Sequence, residues 1–465
     1  MATTTSQWPG YRVTNPVTGQ VEERFDQITD DELTRALAAG QDGVAEWRAR
    51  PVAERAAIVK KVGDLFLERA EELGKIIVGE MGKPLAEAVG EAEYSGNIFS
   101  YYATEGPRLV ADQEIPTEAG GTAIIQRLPV GLLLGIMPWN FPYYQVARFA
   151  APNLVVGNTI LLKHAENCPR SALAIVEVLR DAGLPAGVYQ NIFADYGQIE
   201  RVIADPRVQG VSLTGSERAG AAVAATAGAN LKKVVLELGG SDPYIVLDST
   251  DPGDQAAQAW ATRIENTGQA CNSNKRMIVM ADIFDDFVAE LTRRAGALRP
   301  GDPLAGEEDT YAPMVSRAAA EGLAAQIEDA VSKGATLHAG GTLADDHSAY
   351  LAPAVLTGVT KDMRAYSEEL FGPVAVVYKV DSDEEALQLA NDSSFGLGGS
   401  VFSGDAERAR TLANQLDVGM SNVNIAAGEG PEIPFGGVKR SGFGRELGPI
   451  GMDEFVNKRL FYVHA

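Results

Sequence analysis

Between residues 132 and 236, short apolar runs alternate with helical stretches, and this alternation constrains the fold more than any other feature of the chain. The runs 132–137, 159–163, 188–193, 209–213 and 233–236 read as strands, with helical periodicity at 171–181 and 219–227 between them. Strands separated by helices need crossover connections, which imply parallel pairing and a doubly wound α/β sheet. A second set follows at 243–247, 256–262, 277–280, 284–295, 318–331, 374–380 and 384–390. Two α/β units in tandem are the simplest account. Ahead of both, residues 51–91 place Ala57, Val62, Leu65, Leu73 and Ile77 at helical spacing, broken at Gly82-Lys83-Pro84. That segment reads as long amphipathic helix. There is no tandem repeat, and the Gly/Asp-rich stretch 340–348 reads as a surface loop.

With 465 residues, 45% of them hydrophobic, the chain has enough apolar surface for more than one core. Its two cysteines, Cys168 and Cys271, give no disulfide framework and suit a reducing cytoplasm. The segment from Met1 to Trp8 is polar, with neither a basic n-region nor an apolar h-region, so no export is expected from it, and the longest apolar run, 128–139, is too short and glycine-interrupted to span a bilayer. A net charge of −23 argues against nucleic-acid binding. It also means that anionic ligands need local cations or helix N-termini to reverse the field where they bind.

The chemistry concentrates in a few segments. Cys271, preceded by Asn266-Thr267-Gly268-Gln269-Ala270 and followed by Asn272 and Ser273, is a candidate nucleophile. A thiol is partly thiolate near neutral pH and attacks a carbonyl without a dedicated histidine. Taken alone, a free cysteine is more often a packed small hydrophobe. Thr214-Gly215-Ser216 to Gly220 joins a strand to a helix, where backbone N–H groups and the helix dipole favour a pyrophosphate. The segment is neither a Walker loop nor Gly-x-Gly-x-x-Gly, so alone it is a weak signal. Lys163 and Glu166 lie at a strand's carboxyl edge, where a carboxylate accepts both hydroxyls of a ribose and repels a 2′-phosphate, favouring NAD over NADP. An ordinary ion pair is the plainer reading of those two residues. In Pro138-Trp139-Asn140-Phe141-Pro142, two prolines stiffen a turn that carries one amide, suited to donate to a developing oxyanion.

In this order, with Glu237-Leu238-Gly239-Gly240, Glu368-Glu369-Leu370-Phe371-Gly372-Pro373 and Pro434-Phe435-Gly436-Gly437-Val438-Lys439-Arg440-Ser441-Gly442, the segments resemble the aldehyde dehydrogenase superfamily across nearly the whole chain. The resemblance implies that Cys271 attacks the aldehyde, with the oxyanion between Asn140 and the Cys271 backbone N–H. Hydride passes to a nicotinamide, and Glu237 activates the water that hydrolyses the thioester. It further implies that Lys163 and Glu166 hold the adenine ribose, Ser216 the pyrophosphate and Glu369 the nicotinamide ribose, with Phe371 against the nicotinamide. Trp139, Gly215 and Leu238 complete the cofactor-binding set, and no metal is expected. The implied division is an NAD-binding domain at 1–110 and 130–237, a catalytic domain at 238–437, and oligomerisation or bridging segments at 111–129 and 438–465. Residues 111–127 resemble a projecting hairpin, and 455–463 the terminal strand that it joins in a neighbouring subunit. A homodimer or homotetramer is therefore expected.

The wording around Lys163, Gly239 and Phe435 is similar to that of bacterial succinate-semialdehyde dehydrogenases. Arg148 then falls where a guanidinium pairs with the substrate's distal carboxylate, and Phe435 joins it as a substrate-binding residue. The chain departs from that pattern at Glu265, where some members carry a second arginine, and at Ser273, where others carry a second cysteine. The expectation is NAD-dependent oxidation of succinic semialdehyde or a similar short carboxylated aldehyde, with NADP admitted. A broad-specificity aliphatic or aromatic aldehyde dehydrogenase is the alternative, favoured by Tyr143, Tyr144 and Phe435. A cofactor-independent cysteine hydrolase is a remote one. Glu237 disfavours acyl transfer to coenzyme A.

Overall fold

A computed structural model describes residues 10–118 and 120–464. The polar start from Met1 to Trp8, and the outermost residues of the expected domain ranges, lie outside the described residues.

The first sheet has six strands in the order Gly442–Phe443, Lys233–Glu237, Val208–Thr214, Leu132–Ile136, Thr159–Lys163, Tyr189–Asn191. All pairs are parallel except the short Gly442–Phe443 edge. Leu132, Leu133 and Leu134 are fully buried, as a central strand covered on both faces must be. The register aligns Ile136 with both Lys163 and Leu213, and Thr214 with Glu237. The segments that carry Asn140, Glu166, Ser216 and Leu238 therefore all leave the sheet at one carboxyl edge.

The second sheet has seven strands: Thr336–Ala339, Ala354–Thr357, Val374–Val380, Arg276–Met280, Pro243–Val246, Gly398–Phe402 and Met420–Val423. Pro243 pairs with Arg276, and Arg276 with Val376. Gly240, Cys271 and Glu369 immediately precede these strands, so they gather at the sheet's amino edge, facing the carboxyl edge of the first sheet.

The segment expected to be mostly helical between 51 and 91 forms three helices, Val52–Glu68, Ala70–Met81 and Leu85–Leu109. Gly82 takes φ +76 at the break. Helix Tyr144–Val156 was not legible as a helix because almost every side chain in it is buried, leaving no polar stripe to mark a period.

The third sheet corrects one expectation. Val456–Val463 pairs antiparallel with Thr122–Pro129 of its own chain, from Val456 opposite Pro129 to Val463 opposite Thr122. Thr122–Pro129 also pairs with Gln113–Ile115, forming the expected hairpin. The terminal strand thus completes its own hairpin and presents its outer edge, with Leu460, Phe461 and Tyr462 exposed.

Candidate active site

The turn after strand Leu132–Ile136 is held from behind by His164. Its Nδ1 accepts from the Ala165 N–H at 2.8 Å, so Nε2 carries the hydrogen and donates to the Pro142 carbonyl at 2.9 Å. Burial pushes the imidazole down to about 4, keeping it neutral. Asn140 is buried in this turn, and its Nδ2 donates to the Gln269 carbonyl at 3.1 Å. In return, Asn266 Nδ2 donates to the Asn140 carbonyl at 2.9 Å and to Gln269 O at 3.2 Å. The amide turn and the cysteine segment therefore form one hydrogen-bonded unit.

The cysteine segment follows helix Pro252–Ile264 through Asn266 and Thr267, both left-handed at φ 49 and 54. Such backbone costs about 1–3 kcal/mol per non-glycine residue and persists only where its surroundings fix it. Here the Asn266 N–H donates to Glu87 Oε2 at 2.7 Å. Gly268 must be glycine, because a Cβ there would lie 2.3 Å from the Gly372 carbonyl. Arg263, which the sequence reading passed over, is fully buried and donates to the carbonyls of Gly268, Leu370, Gly372 and Val374 and to Ser273 Oγ. It fastens the cysteine segment to the Glu369–Pro373 loop and gives Ser273 a structural partner.

Cys271 is partly exposed and lines two cavities. The expectation of a partly ionised thiol is not met in this state. Burial pushes the thiol up to about 11, with Arg148 and Lys275 opposing the rise. At neutral pH the resting thiol keeps its proton.

One cavity, about 500 Å³, is lined by Trp139, Asn140, Lys163, Glu166, Gly215, Ser216, Leu238, Glu369 and Phe371, so it brings together the whole expected cofactor set. Ser216 caps helix Glu217–Ala229, leaving the helix N-terminus open to the cavity for an anion. Lys163 Nζ lies 2.5 Å from Glu166 Oε1. Trp139 and Phe371 meet edge to face with centroids 5.6 Å apart. Two carboxylates bound the cavity, Glu166 beside Lys163 and Glu369 beside Cys271. An extended ligand with a diphosphate and two hydroxylated rings fits this donor and acceptor set.

The other cavity, about 370 Å³, is lined by Tyr94, Phe141, Tyr144, Gln145, Phe435 and four carboxylates, Glu87, Glu91, Glu265 and Glu429. No Lys, Arg or His is among its lining residues. Glu265 faces it with an exposed side chain. Glu91 is neutralised by buried Lys83 and also accepts from the Tyr143 and Tyr144 N–H groups. Tyr143, expected near this tunnel, is fully buried instead, with its hydroxyl on the Leu73 carbonyl at 3.2 Å.

Arg148 also departs from its expected place. It is 1% exposed and is not among the residues lining either cavity. Its Nε lies 2.8 Å from Glu446 Oε2, and its guanidinium sits over the rings of Tyr144 and Phe435 at 4.6 and 4.3 Å. Nη2 donates to Gln145 Oε1 at 2.5 Å. A guanidinium committed in this way lies behind the wall rather than in front of a substrate carboxylate. Gln145, which lines both cavities, had no distinguishing signal in the sequence.

Glu237 is 2% exposed, and neither carboxylate oxygen has a hydrogen-bond partner among the described residues. Burial first, and then the charge of Glu446, hold its carboxyl well above the ordinary carboxylate range, against Arg148 and Arg445. Oε1 packs where a Cβ on Gly436 would lie 2.7 Å away. In this resting position the Glu237 carboxyl is tucked against Gly436, where burial favours its neutral form.

The sequence pattern of the Aldehyde dehydrogenase family matches residues 3–460. A Deinococcus radiodurans protein named succinate-semialdehyde dehydrogenase (NADP(+)) is 51% identical over 450 residues, covering 97% of this chain and 94% of that protein. A Mycobacterium tuberculosis protein named succinate-semialdehyde dehydrogenase (NADP(+)) 1 is 41% identical over 453 residues, covering 97% and 98%. The crystal structure of succinic semialdehyde dehydrogenase from Streptococcus pyogenes, in complex with NADP+ as the cofactor, superposes with a TM-score of 0.95 at 40% identity, covering 98% of this chain and 100% of that one.

Proposed function

This chain belongs to the aldehyde dehydrogenase family, and from that premise we propose that it oxidises succinic semialdehyde, or a similar short carboxylated aldehyde, to the acid. The observation that carries the reading is the position of Cys271 between the two cavities, reachable by an aldehyde from one side and by a dinucleotide from the other. The thiol gives its proton to solvent, and Sγ adds as the thiolate to the carbonyl carbon. The second hydrogen of Asn140 Nδ2, beyond the one held by Gln269, serves the new oxyanion. A bound nicotinamide dinucleotide supplies the acceptor for the aldehyde hydride. Glu237 swings from behind Gly436 toward the open cavity, gives its proton to solvent, and then takes one from the water that attacks the thioester, and the C–S bond breaks to return the thiolate.

NAD is the proposed preference, because the Glu166 carboxylate stands where a 2′-phosphate would bring like charge. The relatives named above carry NADP(+) in their names, so NADP use is the outcome that would place another cation near Glu166. The proposed division keeps the NAD-binding, catalytic and bridging segments as expected from the sequence, with the six-, seven- and three-stranded sheets respectively, save that strand Gly442–Phe443 of the last segment joins the six-stranded sheet. The exposed apolar edge of Val456–Val463 supports a homo-oligomer.

A broader aldehyde specificity is the second reading, favoured by the aromatic lining from Tyr94, Tyr144 and Phe435 and by the lack of a lining cation. Steady-state NADH and NADPH formation with succinic semialdehyde, butanal and benzaldehyde decides between them. Preference for succinic semialdehyde supports the proposal, and equal kcat/KM for all three supports the broader reading. No turnover of any would overturn both.

A further inference from the structure

Two loops meet at the active site, one carrying Cys271 and the other carrying Glu369 and Phe371, and a single side chain holds both. Arg263 stands in the last turn of helix Pro252–Ile264 and is fully buried. A guanidinium offers five hydrogens in a fixed plane and accepts none. Nε donates to the Val374 carbonyl at 2.8 Å. Nη1 donates to the Gly268 carbonyl at 3.1 Å and to Ser273 Oγ at 2.8 Å. Nη2 donates to the Leu370 carbonyl at 2.8 Å and to the Gly372 carbonyl at 2.6 Å. Every hydrogen is used, and each goes to a carbonyl or hydroxyl oxygen rather than to a carboxylate.

The partners are ordered around two residues. Nη1 grips the cysteine segment on both sides of Cys271, at Gly268 and Ser273, and Nη2 grips the second loop on both sides of Phe371, at Leu370 and Gly372. Cys271 and Phe371 both line the cofactor cavity. A buried cation with no carboxylate partner is a costly way to join two loops, and a neutral amide can hold either loop alone. What the planar fork adds is a fixed separation between the nucleophile and the ring that the reading above sets against the nicotinamide. Hydride transfer depends on that separation, because reacting atoms must approach to about 3–3.5 Å and a displacement of about 1 Å costs about a hundredfold in rate. Attack by the thiol itself does not depend on it.

We propose that Arg263 is a positioning residue for hydride transfer: by bracketing Cys271 and Phe371, it sets the distance between the carbon bonded to Sγ and the nicotinamide. The proposal rests on the cofactor reading above. The electron pair of the C–H bond leaves as hydride for the nicotinamide while the oxyanion closes to the thioester carbonyl, and Arg263 neither gives nor takes a proton.

The test separates thiol attack from hydride transfer in Arg263→Lys, which keeps the charge and loses the fork. Protein loaded with NAD, or with NADP if that is the one it reduces, is mixed rapidly with the aldehyde that the wild type oxidises fastest, ordinary or deuterated at its formyl carbon. The first turnover of reduced cofactor gives the hydride rate. Alkylation of Cys271 by iodoacetamide without cofactor, followed by mass spectrometry, reads the thiol alone, and quenching of tryptophan fluorescence reads cofactor binding. In Arg263→Lys the first-turnover rate is expected to fall about thirtyfold to a hundredfold, with a larger deuterium isotope effect on kcat, while alkylation and cofactor affinity stay within about threefold. Should thermal melts show that Arg263→Lys does not fold, Ser273→Ala removes only the hydroxyl link and should slow the same step about threefold to tenfold with the same separation. A first-turnover rate kept within about threefold in folded Arg263→Lys, or unchanged in Ser273→Ala where that variant does not fold, would overturn the proposal. Alkylation or cofactor binding that falls in step with the hydride rate would also overturn it, marking Arg263 as a support of the loops only. Failure of the wild type to reduce NAD or NADP with any of the three aldehydes named above would overturn the functional reading and the proposal with it.

Discussion

Arg148 Nε and Glu446 Oε2 lie 2.8 Å apart behind the aldehyde cavity, in a pair whose side chains are 0% and 5% exposed. Removing one member leaves the other buried and uncompensated. Arg148→Ala is expected to cost about 3–5 kcal/mol of stability. It should lower kcat/KM for succinic semialdehyde and butanal together, because the guanidinium supports the wall and the charge near Cys271 rather than the substrate's far end. Thermal melts with the two-substrate comparison check this, and a loss confined to KM for succinic semialdehyde would restore a direct clamp.

Glu265 and Glu429 stand exposed at the cavity and oppose an arriving carboxylate. Glu265→Gln should lower KM for succinic semialdehyde by about twofold to threefold at low salt, with a smaller effect at high salt. Butanal, which is uncharged, should show no change.

At the far end of the cofactor cavity, Glu166→Gln removes the carboxylate that opposes a 2′-phosphate and leaves Lys163 Nζ unpaired. The expected outcome is a rise of about tenfold in kcat/KM with NADP and a smaller fall with NAD. An unchanged NADP value would mean that another group sets the preference.

Glu87 ties the left-handed Asn266 and lines the aldehyde cavity. Burial, opposed by the Asn266 N–H and Lys83, pushes its carboxyl up from 4.5 to about 7. Below 4.5 the folded and unfolded chains both hold this proton. Between 4.5 and about 7 the unfolded chain releases it first, so native stability falls with rising pH across that window and levels off above it. Glu87→Gln keeps an acceptor for Asn266 and should remove this contribution, on the order of 2 kcal/mol, from the difference in stability between about pH 5 and about pH 8. Denaturant melts at the two pH values measure it.

Much of this architecture was legible because parallel strands are short, apolar and separated by helices, so the runs at 132–137 and 159–163 fell almost on the strands Leu132–Ile136 and Thr159–Lys163. Glycine turns at strand ends carried the cofactor set for the same reason. What the sequence could not give was direction. Arg148 sits at a spacing that suits a clamp, but only the packed helix Tyr144–Val156 turns it toward Glu446, almost three hundred positions later in the chain. Glu237 looked like a ready base, and its resting place behind Gly436 depends on strand Gly442–Phe443 closing over the strand that carries it. Arg263 and Lys275 carried no signal, because most of their partners are backbone carbonyls, which have no signature in sequence.

The central claim is that Cys271 carries the substrate as a thioester. The most direct measurement uses Glu237→Gln, with succinic semialdehyde and NAD or NADP mixed, quenched in acid within one turnover and digested for mass spectrometry. The expected result is one equivalent of reduced cofactor and a succinyl increment on the peptide that contains Cys271. Reduced cofactor with that peptide unmodified, or an increment on the Cys168 peptide instead, would contradict the account.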